Sequence, residues 1–202
     1  MYTVLVTGAF GNVGQSVIKA LFEKDTWNLA GIPEEVRAEV LGGALRVRVL
    51  EMPGAKNRRI ARKYSKKPGL EIMWGSLTDE AALTKALAGT DRVIHLAAII
   101  PPLSNAMPDL AYKVNVEGTK LLVRLMEAME RTPRLVFSSS VAVYGDRVEN
   151  YFIRADDELC PCEDDSYARH KVACEEAIHQ SALSWVVCRL SYIVWRKKLF
   201  MD

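Results

Sequence analysis

A tyrosine and a lysine four positions apart are the residues in this sequence best suited to moving a proton. Tyr167 and Lys171 share one face if their segment is helical. Tyrosine has a pKa of about 10, and lowering it to about 7 requires roughly 4 kcal/mol of preferential stabilisation of the phenolate. An ammonium about 4 Å away supplies on the order of that at an effective dielectric near 20. We therefore expect Lys171 to lower the pKa of Tyr167, although the same spacing is common on helices with no catalytic role.

A run of three hydroxyls is the second concentration of polar chemistry. Ser138, Ser139 and Ser140 follow Arg134–Phe137, which has the apolar composition of a buried strand. Side chains directly after a buried strand lie at the carboxyl edge of a parallel sheet, where ligands bind. The serines are therefore expected beside a ligand site.

The third feature is a turn with three glycines. Gly8, Gly11 and Gly14 lie between an apolar strand at Tyr2–Thr7 and an amphipathic helix at Gln15–Phe22. Glycine allows backbones to approach closely, and the first turn of a helix leaves its amide N–H groups unpaired. Those donors and the positive end of the helix dipole suit a pyrophosphate. The alternative is a turn that only packs the helix against the sheet.

An acid at the end of the second strand indicates which dinucleotide is preferred. Leu45–Leu50 is predicted as that strand, and Glu51 closes it, where a dinucleotide fold places an acid against the adenosine ribose hydroxyls. A carboxylate repels a 2′-phosphate, so NAD is favoured over NADP. Arg58 and Arg59 lie nearby in the sequence and could bind a 2′-phosphate, so NADP remains an alternative cofactor.

The spacing of this acid from the glycines is unusual. Glu51 lies 37 residues beyond Gly14 (51 minus 14), whereas the acid ordinarily follows the glycines by about 20 residues. Counting alone selects Glu34, behind a strand formed by Trp27–Ile32. We prefer Glu51 because Leu45–Leu50 makes the better strand, and residues 25–44 then form an insertion.

Strands alternate with helices along the whole chain, which predicts a doubly wound, mainly parallel, six-stranded α/β sheet of the Rossmann type. A single domain is expected over residues 1–202. The remaining predicted strands are Leu70–Trp74, Arg92–Ala98 and Trp185–Leu190, and the remaining predicted helices are Pro33–Leu41, Glu80–Leu87, Tyr112–Glu130 and Tyr167–Ala182. Residues 99–107 are predicted as a loop over the site.

Composition excludes several classes of protein. The net charge is +2, and the basic residues between Lys56 and Lys67 have no aromatics interleaved at regular spacing, so we expect a solvated helix face and no nucleic-acid partner. No apolar run reaches the length of a membrane span, and a strand stands where a signal peptide would, so a cytoplasmic protein without a membrane partner is expected. The cysteines are expected to be reduced, and no metal site is assigned. His95, inside an apolar run, is expected to be a packed core residue.

Several motifs appear in one order: Thr-Gly-Ala-x-Gly-x-x-Gly ending at Gly14, Asn-x-x-Gly-Thr beginning at Asn115, the triple serine, and Tyr-x-x-x-Lys. In this order the sequence resembles the extended short-chain dehydrogenase/reductase family, which includes the nucleotide-sugar epimerases. The resemblance implies that Ser140 bonds the reacting group, that Tyr167 exchanges its proton, that Lys171 holds the ribose and that Asn115 braces the site. It also implies a cofactor site. The residues of that site are Gly8, Phe10, Gly11, Asn12, Val13, Gly14, Glu51, Ser76, Leu77, Leu96, Ala97, Ala98, Tyr167 and Lys171.

The sequence departs from the family pattern in three places. Ser76 stands where the family has an acid that meets the adenine amino group, and a hydroxyl accepts a hydrogen bond less strongly. No acids follow Ser140 where the family's dehydratases carry them, which favours epimerisation or dehydrogenation. Family members continue beyond the point reached at Asp202, so residues 193–202 are expected to lead toward a substrate domain that is largely absent.

These observations predict an NAD-dependent epimerase or dehydrogenase that acts on a carbinol carbon, with a nucleotide sugar as the implied substrate. One alternative is a truncated, catalytically silent NAD(P)-binding module. Another is an NADP-dependent reductase of a small ketone. The resemblance also implies a homodimer formed through the helices predicted at 112–130 and 167–182.

Overall fold

Six parallel strands form one sheet in the part of the chain that the structure describes. The computed structural model describes residues 1–23, 44–147 and 152–193, together with Ala30, Glu34 and Gly42. The strands are β1 (Tyr2–Thr7), β2 (Leu45–Glu51), β3 (Leu70–Trp74), β4 (Arg92–His95), β5 (Arg134–Ser140) and β6 (Trp185–Leu190). Their order is β3-β2-β1-β4-β5-β6, and every neighbouring pair is parallel. The order reverses between β1 and β4, the place where open α/β sheets bind ligands.

Helices cover both faces of this sheet. They are α1 (Asn12–Phe22), α2 (Ala55–Tyr64), α3 (Glu80–Leu87), α4 (Leu103–Ala106), α5 (Pro108–Tyr112), α6 (Gly118–Glu127) and α7 (Ser166–His179). A π-helical turn at Lys113–Glu117 joins α5 to α6, and a 3₁₀ turn at Val141–Tyr144 follows β5. The predicted doubly wound α/β fold is thereby confirmed.

Alternation along β1 divides the core into two layers. Val4 and Val6 pack with α1 and α2 on one face, while Leu5 packs with α3, α6 and α7 on the other. Both faces of the strand are buried, which explains its nearly continuous apolar sequence. The strand that leads into the glycine turn is therefore held rigidly from both sides.

Two strand predictions differ from the structure at their ends. β4 ends at His95, not Ala98, because its pairing partner β1 ends at Thr7 and turns away at Gly8. β5 continues through Ser140, because its register with β6 extends to Leu190. The three serines therefore belong to the strand itself, at the carboxyl edge of the sheet.

Four helical predictions also change. The helix predicted at Gln15–Phe22 begins three residues earlier, at Asn12. The helix predicted at 112–130 is replaced by α5, the π-helical turn and α6, which together run from Pro108 to Glu127. After Glu127 the Met129 amide donates to the Met126 carbonyl at 3.2 Å, a shorter-range bond that ends the α-helical pattern. The predicted loop at 99–107 contains the short helix α4. The helix predicted to end at Ala182 ends at His179, where the Ser181 hydroxyl donates to the Ile178 carbonyl at 2.6 Å and so replaces the helical bond.

Some predictions lie largely outside the described residues, namely the helix at Pro33–Leu41, the strand at Trp27–Ile32 and the insertion at 25–44. The predicted solvated face is confirmed on α2 and in the turn after it, where all seven basic side chains between Lys56 and Lys67 are exposed. Within the described chain, no helix is long and apolar enough to cross a membrane.

Candidate functional site

Close backbone packing explains two of the three glycines in the turn between β1 and α1. Gly8 adopts φ +68°, and a Cβ there would lie 2.6 Å from the Ala97 amide nitrogen. A Cβ on Gly14 would lie 2.3 Å from the Gly8 carbonyl oxygen. Both distances are shorter than real contacts allow, so any side chain would separate β1 from the end of β4 or lift α1 off the turn. The glycines thus bring the start of α1 close to the sheet edge.

The start of α1 presents unpaired donors. The Gly11 amide donates to the Gly8 carbonyl at 3.1 Å, and no side chain caps the helix. The amides of Asn12, Val13 and Gly14 donate to no acceptor among the described residues. Three N–H groups at the positive end of an 11-residue helix form a site suited to a phosphate.

Glu51 lies directly beside this turn because β2 is the parallel neighbour of β1. Its Oε1 accepts a hydrogen bond from the Phe10 amide at 2.8 Å, and its Oε2 accepts one from Asn57 Nδ2 at 3.2 Å. Burial raises the pKa of Glu51, and hydrogen bonds from the Phe10 and Ala9 backbone oppose that rise. The long sequence interval between Gly14 and Glu51 is therefore no obstacle to their meeting. Glu34 does not line the cleft described next.

A cleft of about 900 Å³ runs along the carboxyl ends of the strands. Its volume lies within the range of small-molecule and cofactor sites, about 300–1,000 Å³. The predicted residues that line it are Gly8, Phe10, Gly11, Asn12, Val13, Gly14, Glu51, Ser76, Leu77, Leu96, Ala97, Ala98, Ser140, Tyr167 and Lys171. The turn and the Tyr167 helix, far apart in sequence, therefore face the same space.

Ser76 lines the cleft with its hydroxyl already engaged. It lies 2.8 Å from the Thr78 hydroxyl and accepts the Thr78 amide at 3.1 Å. This local turn competes with the predicted contact to adenine, because the same oxygen serves both.

Tyr167 and Lys171 lie at the start of α7. Asp165 caps this helix by accepting the Ala168 amide at 2.9 Å. Lys171 is 3% exposed, and its Nζ donates to the Ser138 carbonyl at 2.6 Å and lies 5.6 Å from the centroid of the Tyr167 ring. The lysine is thus fixed between the tyrosine and the end of β5.

The expected fall in the pKa of Tyr167 is wrong for the protein by itself. Burial, then Asp165, then Cys174 raise the pKa of Tyr167 to about 12. Burial also lowers the pKa of Lys171 to about 8, and the lysine is still mostly protonated near neutral pH. A desolvated tyrosine beside an acidic helix cap needs a further positive charge before it can ionise near neutral pH.

Asn115 does not line the cleft, and its side chain instead holds the backbone of Ile99. Asn115 Oδ1 accepts the Ile99 amide at 2.7 Å, and Nδ2 donates to the Ile99 carbonyl at 2.8 Å. Nδ2 also lies 3.5 Å from His170 Nδ1 on α7. Asn115 therefore connects the loop after β4 to the helix that carries Tyr167, which fits a bracing role better than a chemical one.

The three serines make different contacts although they are adjacent and identical. The Ser138 hydroxyl donates to the His95 carbonyl at 3.2 Å. Ser139 donates to the Glu175 carboxylate, and Ser140 accepts the Ala142 amide at 3.2 Å. All three serines line the cleft, and Ser140 is the one whose hydroxyl caps the 3₁₀ turn that follows β5.

A buried ion pair beneath the cleft was missed by sequence reasoning. Glu175 is completely buried, and Arg189 Nη2 donates to its Oε2 at 2.7 Å. Arg189 also donates to the Tyr144 hydroxyl and, at 2.7 Å, to the Ala155 carbonyl. The Glu175 carboxylate raises the pKa of Arg189. The available signal was the position of Glu175, one helical turn beyond Lys171.

Further lining residues of the cleft were missed by sequence reasoning, and they lie on two segments: Leu110, Lys113 and Val114 before Asn115, and Leu190, Ser191 and Ile193 at and after the end of β6. Ile99 and Ile100 also line the cleft, and they belong to the loop predicted to lie over the site. Leu110, Lys113 and Val114 stand at i, i+3 and i+4 and so share a helical face, which is the pattern that could have identified them. They lie on the segment that Asn115 holds against the loop after β4.

A parallel sheet whose strand order reverses beside a glycine turn, with a cleft along its carboxyl edge, defines a Rossmann-like dinucleotide-binding domain. The sequence model of the NAD dependent epimerase/dehydratase family matches residues 4–194, and the chain belongs to this family. The resemblance to extended short-chain dehydrogenases/reductases is thereby confirmed.

Two curated relatives and one solved structure illustrate the similarity. D-erythronate dehydrogenase of Cupriavidus necator is 31% identical over 143 residues, which make up 70% of this chain and 40% of that protein. UDP-glucose 4-epimerase 4 of Oryza sativa subsp. japonica is 32% identical over 197 residues, 94% of this chain and 48% of that one. A short-chain dehydrogenase/reductase superfamily protein from Agrobacterium tumefaciens, solved with bound NAD, has a TM-score of 0.67 and 29% identity over 93% of this chain and 48% of that one. The chain spans about half of these proteins or less.

Proposed function

We propose that the protein is an NAD-dependent epimerase or dehydrogenase that acts on a carbinol carbon, with Tyr167 as its acid and base. The observation that carries this proposal is the shared cleft, which places Tyr167, Lys171 and Ser140 in the same space as the unpaired amides of α1. An anchor for phosphates and a group for proton transfer are the two parts that such a reaction requires.

The residues of the cleft fit a dinucleotide. The three amides at the start of α1 would hold the pyrophosphate, and Glu51 would accept hydrogen bonds from the adenosine ribose hydroxyls. Lys171 would bind the other ribose. Bound NAD supplies the hydride acceptor and, in an epimerase, returns the hydride to the opposite face of the carbon.

The chain's own residues would manage the proton. Tyr167 takes the proton of the substrate hydroxyl as the carbon is oxidised, while Ser140 donates a hydrogen bond to the same oxygen. In the free protein the pKa of Tyr167 is about 12, so the reaction needs the combined positive charge of Lys171 and an oxidised nicotinamide to stabilise the phenolate. Asn115 and Glu175 position these groups without touching the reacting atoms.

A nucleotide sugar is the substrate class that we propose first, on the resemblance and on the named activity of the rice epimerase. The Cupriavidus relative is by its name a dehydrogenase of a sugar acid, which makes a sugar acid the second candidate. Dehydration is disfavoured, because no acids follow Ser140 in the turn Val141–Tyr144.

Tyr167→Phe tests the proposed chemistry. We expect NAD reduction with candidate sugars to fall by about 10²- to 10⁴-fold, the usual contribution of one acid–base group. Tyr112→Phe is the matched control, because Tyr112 is an exposed tyrosine on the neighbouring helical segment. Equal rates in the wild type and in Tyr167→Phe would refute the proposal.

The rival is a catalytically silent NAD(P)-binding module, and the raised pKa of Tyr167 in the protein by itself favours it. Calorimetric titration with NAD, combined with turnover assays, separates the two. Binding without turnover favours the rival, whereas absence of dinucleotide binding rejects both.

An NADP-dependent reductase of a small ketone is tested by comparing NAD and NADPH affinities, and the position of Glu51 favours NAD. A homodimer through the helical segments 108–127 and 166–179 is tested by analytical ultracentrifugation.

A further inference from the structure

The charged residues of the cleft differ in whether they have hydrogen-bond or ion-pair partners. They are Glu51, Lys56, Lys113 and Lys171. Glu51 accepts hydrogen bonds from Phe10 and Asn57, and Lys171 donates to the Ser138 carbonyl. Lys56 lies in the first turn of α2, at the Glu51 end of the cleft. Among the described residues, the Lys56 and Lys113 ammonium groups make no hydrogen bond and no ion pair, and both side chains are exposed. Of the two, Lys113 lies on the segment that packs against the helix carrying Tyr167.

Lys113 faces the cleft as part of a helical face. It is flanked at i−3 by Leu110 and at i+1 by Val114, and all three line the cleft. The segment that carries them packs against α7: the Tyr112 and His170 rings meet edge to face, with centroids 5.6 Å apart. Because His170 adjoins Lys171, this contact places Lys113 at the end of the cleft where Tyr167 lies.

Lys113 lines the cleft among apolar neighbours on its own segment, Leu110 and Val114. Ile99 and Ile100 line the cleft from the loop whose backbone Asn115 holds. Lys113 itself is exposed, so its ammonium is accessible to an anion that enters the cleft from solvent. An unpaired ammonium that lines the cleft favours a ligand that carries a negatively charged group.

We propose that Lys113 binds an anionic group of the substrate, a carboxylate or a phosphate, while the carbinol carbon faces Tyr167. This rests on the proposed function, which places the substrate at the Tyr167 end of the cleft. The anion would hold the substrate by a charge-assisted hydrogen bond, and neutral polyols would bind weakly because they leave the ammonium unpaired.

Binding to the NAD-loaded protein tests this proposal without requiring turnover. Calorimetry would compare two matched pairs, D-gluconate with sorbitol and glucose 1-phosphate with methyl glucoside. We expect at least one anion to bind about tenfold tighter or more than its neutral counterpart. Preference for gluconate identifies a carboxylate as the group bound, and preference for glucose 1-phosphate identifies a phosphate.

Substitution of Lys113 then assigns the preference to this residue. Lys113→Gln is expected to lose about tenfold in affinity for the preferred anion, and Lys113→Arg to retain most of it. Lys120→Gln, an exposed lysine on α6, is the matched control and should change nothing. NAD affinity should also be unchanged in all three variants.

Four results would overturn the assignment: no binding of either anion, equal binding of the neutral partners, unchanged anion affinity in Lys113→Gln, or a fall in NAD affinity in Lys113→Gln. The last result would mean that the ammonium serves the dinucleotide. Failure of the proposed function is distinguishable, because it appears as absent turnover with anion binding intact.

Discussion

His95 illustrates at the level of one residue how burial decides chemistry. The apolar run around His95 predicts a packed core histidine, and the structure confirms it, with no exposed surface on the side chain. Nδ1 lies 2.6 Å from the Thr7 hydroxyl, and Nε2 lies 2.9 Å from the Thr119 hydroxyl. Burial, with a smaller effect of Lys171, lowers the pKa of His95 to about 3. The ring therefore stays neutral and ties β1 and β4 to α6.

This pKa predicts a pH dependence of folding. Between pH 6.5 and about 3 the unfolded chain binds a proton at His95 that the folded chain does not, so stability falls as the pH falls through that window. His95→Gln keeps a neutral hydrogen-bonding side chain and removes the titration. We expect its unfolding free energy, measured in urea at pH 7 and pH 4.5, to fall less than that of the wild type. An equal fall in both proteins would contradict the assignment.

Individual residues were predicted well where their chemistry is local and poorly where it depends on the surroundings. His95 lies in an apolar run, and its burial follows from the sequence around it. The pKa of Tyr167 was expected to fall because Lys171 is near, but desolvation and Asp165 outweigh the lysine in the folded protein. Spacing along a helix identifies a neighbour, whereas solvent exclusion depends on the whole tertiary structure.

At the scale of elements, α7 and β6 are joined by the ion pair of Glu175 and Arg189. Breaking a buried pair leaves a charge without its partner, at a cost of about 3–5 kcal/mol. We expect Glu175→Gln to lower the unfolding free energy in urea by about that amount. Glu80→Gln is the control, since its pair with Arg124 is 57% and 63% exposed and should be worth less than about 1 kcal/mol. Similar losses in the two variants would contradict this account.

The first or last residue of an element could be predicted to within a few residues where a local sequence signal marks that boundary. The Asp79 cap of α3 is such a case, because its carboxylate accepts the Ala82 amide at 3.1 Å. The end of β4 was misplaced because it is set by a partner strand, and no pattern in Leu96–Ala98 records where β1 turns away. The π-helical turn at Lys113–Glu117 also has no sequence signal that we recognise. It lies where Asn115 holds the Ile99 backbone, a contact 16 residues apart in sequence.

For the whole molecule, alternation of strands and helices sufficed to predict a doubly wound sheet. The strand at Leu45–Leu50 was enough to select Glu51 over Glu34. The contact of Glu51 with the glycine turn depends on the strand order, because the adjacency of β1 and β2 brings together residues that are unusually far apart in sequence. The cleft wall around Lys113 depends on how the helices lie over the sheet, which periodicity alone does not determine.

Dinucleotide binding should stabilise the entire domain. A ligand at 100 times its dissociation constant adds about 2.7 kcal/mol to the unfolding free energy. For a chain of this size each kcal/mol raises Tm by about 2–4 °C, so saturating NAD is expected to raise Tm by about 5–10 °C. Differential scanning fluorimetry with NAD and with NADPH measures this. A larger shift with NADPH would contradict the assignment of Glu51.

The Glu51 carboxylate accepts a hydrogen bond from the Phe10 amide, between the first two glycines of the turn. If Glu51 selects NAD as proposed, a substitution that removes this acid to admit NADP also removes that acceptor. Cofactor preference and the order of the glycine turn would then change together, unless the new side chain or a second substitution supplies an acceptor for Phe10. The same coupling restricts how freely this position can drift among descendants of the chain.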